Sequence, residues 1–82
     1  MKVLLTIEEG FAKTIFEGID KGAVEWFLKG FQYARNKNLQ SPEVIGALNE
    51  LIRLTDSVDN VYWSTGALSA IENKKGKLEV IE

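Results

Sequence analysis

Residues 20 to 37 have the spacing of a helix that carries too much apolar surface for a single face. At about 100° per residue, Ala23, Val24, Trp26, Phe27, Leu28, Phe31, Tyr33 and Ala34 spread over roughly 220°. Lys21, Glu25, Lys29, Gln32 and Asn36 keep only about 80° for the polar side. A helix resting on one layer needs an apolar stripe little wider than about 100°. This helix must be covered from two sides, and the chain has only 82 residues to do it with. Either the rest of the domain encloses it, another chain covers it, or it lines a groove for a hydrophobic ligand. An exposed patch of that size otherwise marks an interaction surface or an aggregation hazard.

Local signals place the other elements. Lys2 to Glu8 and Phe11 to Glu17 are rich in strand formers, and Glu9-Gly10 between them suits a tight hairpin. The pairing expected is Glu8 opposite Phe11 and Thr6 opposite Lys13. A rival reading starts a helix at Glu8, with Phe11, Ile15 and Ile19 on one face. Gly10, Gly18 and Gly22 weigh against it. Asp20 is placed to cap the helix running to about Lys37, Arg35 and Lys37 sit in its last turn, and Asn38 suits a left-handed stop. Ser41-Pro42-Glu43 is a helix start, and Val44, Ile45, Leu48, Leu51, Ile52 and Thr55 continue at helical spacing. The apolar arc of this second helix is also broad, about 180°. The short link Leu39-Gln40 makes the two helices expected antiparallel neighbours.

Asp56 to Asn60 reads as a turn. Val61 to Asn73 is ambiguous: Val61, Tyr62, Trp63 and Thr65 favour a strand, while Val58, Val61, Tyr62, Thr65 and Leu68 match a helical face. Lys77 to Ile81 reads as a terminal strand, with Gly76 either a left-handed turn residue or a helix stop. The expected fold is α+β in one domain, residues 1–82. Two antiparallel helices pack on a small antiparallel sheet formed by N-terminal and C-terminal strands.

Composition removes several classes of function. The chain has no Cys and no His, so disulfides, thiolate metal sites and the usual neutral-pH acid–base residue are absent. Lack of cysteine fits a reducing compartment. The formal net charge of −2 disfavours a phosphate-binding surface, and nucleic acid with it. Wholly apolar runs stop at three residues, as in Val3-Leu4-Leu5, so no membrane span is expected. The run after Lys2 ends at Glu8-Glu9, too short for a signal peptide. A full-length cytoplasmic protein is the expectation.

No catalytic constellation emerges. Gly18, Gly22 and Gly30 do not form a phosphate loop, and Ser64-Thr65-Gly66 offers hydroxyls without a base. Asp56-Ser57-Val58-Asp59-Asn60 lacks the alternation and the glycine of a calcium loop. Turn and capping chemistry accounts for it, and for Glu8-Glu9. Lys74, Lys75 and Lys77 suit a solvated turn beside an edge strand. The chain is therefore expected to be no enzyme, with no metal and no cofactor. The expected function is a non-catalytic protein–protein interaction module, a homo-oligomer that regulates or inhibits a larger partner. Trp26, Phe27, Phe31, Tyr33 and Trp63 are its expected interface. The alternative is a small-ligand, nucleotide-like binding protein. Its aromatic pocket, at a subunit boundary, would use Tyr62, Trp63, Arg35, Ser64 and Thr65.

Overall fold

A computed structural model describes residues 1–8 and 10–82. Strand β1 (Lys2–Glu8) and strand β2 (Phe11–Glu17) are followed by helices α1 (Lys21–Asn36), α2 (Pro42–Leu54) and α3 (Val58–Glu72), and by strand β3 (Lys77–Ile81). The sheet is antiparallel with order β2-β1-β3, so the N-terminal strand lies between its hairpin partner and the C-terminal strand. The fold is α+β, as the sequence leads one to expect.

The hairpin forms, and Gly10 takes φ +80°, which glycine adopts without steric cost. Glu9 lies outside the described residues, and with it the expected turn partner and acidic pair. Glu8 faces Phe11, but a register shift sets Thr6 opposite Ala12 and Leu5 opposite Lys13, one residue off the simple hairpin count. A second irregularity pairs Val3 with Phe16 and Leu4 with Thr14, leaving Ile15 as the extra residue. Ile15 and Phe16 both pack against the core as a result.

Both expected caps are made. The Asp20 carboxylate accepts from the Ala23 N–H at 2.9 Å, and Ser41 Oγ accepts from the Val44 N–H at 3.2 Å. Asn38 is left-handed at φ 52°, which ends α1. The ambiguous stretch is helical, and the expected turn at Asp56–Asn60 is shorter than read. Ser57 caps α3, and Val58 is already in its first turn.

α3 alters the packing expected between the helices. α1 packs most closely on α3, not on its sequence neighbour α2, and α2 packs on α3. At the α1–α3 crossing the backbones nearly touch. A Cβ on Gly30 would stand 1.9 Å from the Trp63 carbonyl oxygen, and one on Gly66 would stand 1.9 Å from that of Phe27. The core joins Val3 of the sheet to Val24, Phe27, Phe31 and Ala34 of α1 and to Ala67 and Ala70 of α3, and α2 adds Leu48. Phe27 stacks on Phe16 with ring centroids 4.3 Å apart. Burying each such phenylalanine contributes about 1.5–3 kcal/mol. No described helix is long and apolar enough to cross a membrane.

Candidate functional site

Most of the broad apolar arc of α1 is covered inside the protomer, by the sheet on one side and α3 on the other, while Tyr33 stays exposed. Phe27 and Phe31, expected at an interface, are 0% exposed and belong to the protomer's own core. Of the other three, Trp26 is half-buried, with Lys29 Nζ 4.5 Å from its ring centroid. Tyr33 is 47% exposed and lies 5.4 Å from the half-buried Trp63, centroid to centroid. Tyr33 and Trp63 make a partly sheltered aromatic pair across the α1–α3 seam.

The residues of the alternative pocket do not converge. Ser64 is fully buried, and its hydroxyl has no protein partner. Thr65 donates back to the Val61 carbonyl at 2.7 Å. Tyr62 meets Phe16 edge-on. Arg35 is spent on structure: its two terminal nitrogens donate to the carbonyls of Gly76 (3.0 Å) and Asn73 (2.9 Å), and its guanidinium lies 4.6 Å from the Phe31 ring centroid. The C-terminal ends of α1 and α3 are thereby held together, cations against the negative ends of two helix dipoles. A cavity of about 50 Å³ sits there, lined by Ala34, Arg35, Asn38, Leu39, Ala70 and Lys74. Small-molecule sites usually measure about 300–1,000 Å³, and two converging helix C-termini disfavour an anion. Lys74, from the basic cluster, donates to Gln40. Among the described residues no three His, Cys, Asp or Glu side chains gather as a metal site.

Exposed large apolar side chains occur on and beside the sheet, at Ile7, Phe11, Ile19, Val80 and Ile81, and on α2, where Leu51 and Leu54 share one helix flank. This helix buries only Leu48 fully; Val44, Ile45 and Ile52 are half-buried around it. Ala47, Leu51 and Leu54 fall within about 60° of one another on the helix, off to one side of Leu48. All three are exposed, Leu51 by 39% and Leu54 by 66%. Val58, in the first turn of α3, is also 59% exposed. Glu43 and Glu50 border the strip of Ala47, Leu51 and Leu54, within about 40° of Leu54. Glu50 accepts two hydrogen bonds from Arg53, at 2.8 and 2.9 Å. The signal for this strip was present in the sequence as the wide arc of the second helix. Which of the two wide arcs stays uncovered depends on where α3 packs. No protein family, curated protein or solved structure matches the chain.

Proposed function

We propose that this chain is a non-catalytic protein–protein interaction module that docks on a larger partner through the exposed flank of α2, regulating or inhibiting it by occupying its surface. The supporting observation is the exposed strip Ala47, Leu51 and Leu54, with Val58 also exposed, on a molecule whose other wide-arced helix buries Phe27 and Phe31 in the core. Contiguous exposed leucines at helical spacing are unfavourable in water unless something covers them. The reading also fits a chain with neither His nor Cys for acid–base or nucleophilic chemistry. A cytoplasmic setting belongs to the same proposal, since the chain relies on no disulfide.

Photo-crosslinking in the cells that make the protein tests it. A photoreactive residue at position 54 should give discrete adducts that the same residue at the exposed α1 position Asn36 does not. An adduct of twice the chain mass would identify a second copy, the other partner expected from the sequence. No discrete adduct at 54, or the same smear from both positions, removes the basis of the proposal.

A further inference from the structure

The exposed flank of α2 has a finer pattern that bears on its partner. Val44, half-buried against the core, and the exposed Ala47, Leu51 and Leu54 are separated by three, four and three residues. That alternation is the a and d seam of a heptad, the spacing by which one helix lies along another at a shallow angle. In the same frame Glu43 and Glu50 take the two g positions bordering the seam. The e positions fall on Leu48, buried in the protomer's core, and Thr55. The solvent-facing border of the seam is therefore acidic along its length.

Along the sequence the neighbouring charges share the sign, although Lys74, bonded to Gln40, brings a cation near the start of α2. Residues 42–60 hold Glu43, Glu50, Asp56 and Asp59 against Arg53 alone, a local excess of three negative charges. The remainder of the chain carries one net positive charge. Arg53 is tied to Glu50 in an exposed pair, and such pairs are weak enough to exchange partners.

Resting on the proposed docking role of α2, we infer that its occupant is an amphipathic helix of a different protein, whose apolar seam is bordered by lysine or arginine. A second copy fits poorly. Antiparallel pairing of two α2 helices sets g against g, which is Glu against Glu. Parallel pairing sets g against e, where the chain presents buried Leu48 and not a cation. A foreign helix with cations beside its seam meets Glu43 and Glu50 with opposite charge and covers Leu51 and Leu54 with the same face.

The test titrates the full chain with labelled helical peptides of about 18 residues that share one leucine seam and differ only in having Lys or Glu at its borders. At about 50 mM salt the lysine peptide should bind at least about fivefold tighter than the glutamate peptide, and about 500 mM salt should shrink the gap. The double change Glu43→Lys and Glu50→Lys should reverse the preference, and Leu54→Asp should abolish binding of both peptides. Melting curves check that these exposed substitutions leave the fold intact. Equal affinities, or lysine-peptide binding that survives Leu54→Asp, overturn the inference. Failure of both peptides does so too, and the crosslinks at position 54 then separate the cases. If they persist, only the partner's chemistry is wrong. If they are also missing, the docking role of α2 falls with it.

Discussion

Gly30 and Gly66 set how closely α1 and α3 approach, each filling a place where any side chain would enter the other helix's backbone. Backbone atoms cannot swing away as a side-chain tip can, so Gly30→Ala must force the helices apart and loosen Phe27 and Phe31. The expected net cost is about 2–3 kcal/mol, after the roughly 1 kcal/mol that alanine gains as a helix former. In a domain of this size that lowers Tm by roughly 10–20 °C. Gly46 in α2 is the control, since nothing lies within 4 Å of a Cβ there. Gly46→Ala should stabilise by about 0.5–1 kcal/mol and raise Tm by roughly 2–8 °C. Thermal melting of the two variants checks both signs, and an unchanged Tm for Gly30→Ala would mean that the close crossing does not hold the core together. In the sequence, Gly30 was legible only as a glycine outside any phosphate loop. Its role is a contact with Trp63, far along the chain, and local pattern does not report such a contact.

At the scale of elements, legibility followed the reach of the signal. The caps of α1 and α2 were readable because Asp20 and Ser41 bond to groups three residues away. α3 was readable only as one of two alternatives, helix or strand. Its residues are buried or half-buried almost all round, so no polar face marks a helical period. Its β-branched and aromatic residues also favour a strand, and burial beside α1 and α2 overrides that preference. β3 is a different case: it is a five-residue edge strand, and Arg35 ties the connection before it to α1. Arg35→Met removes both hydrogen bonds and the guanidinium's contact with the Phe31 ring, leaving the Asn73 and Gly76 carbonyls unsatisfied. The expected loss is about 2–3 kcal/mol. Hydrogen exchange should place the effect: amides of the β1–β3 ladder speed up markedly, while those of the α1–α3 core change only as much as global stability does. Uniform acceleration everywhere would mean that β3 has no separate dependence on Arg35.

The charges of the whole molecule are unevenly placed. Asp56 and Asp59 lie where α2 passes into α3. Arg35, Lys37, Lys74, Lys75 and Lys77 cluster at the other ends of α1 and α3 and at the start of β3. A net charge of −2 hides this polarity. The placement gives the two kinds of partner opposite responses to salt. Two copies meeting through the α2 flanks bring Glu43 and Glu50 against their own kind. Screening relieves that repulsion, and salt should favour such a dimer. A cationic helix gains from the same charges, and salt should weaken its binding. The Debye length is about 30 Å at 0.01 M and about 10 Å at 0.1 M, so low salt is where the two cases part furthest. Light scattering on the purified chain at low salt, followed across a wide dilution, should give the mass of one chain. Leu54→Asp should not change it. A dimer at low salt that Leu54→Asp dissociates would show the leucine strip outweighing its acidic border, and would reassign the flank to self-association. A monomer would leave Leu51 and Leu54 uncovered in isolation, and a cationic partner helix is then the occupant whose binding salt should oppose.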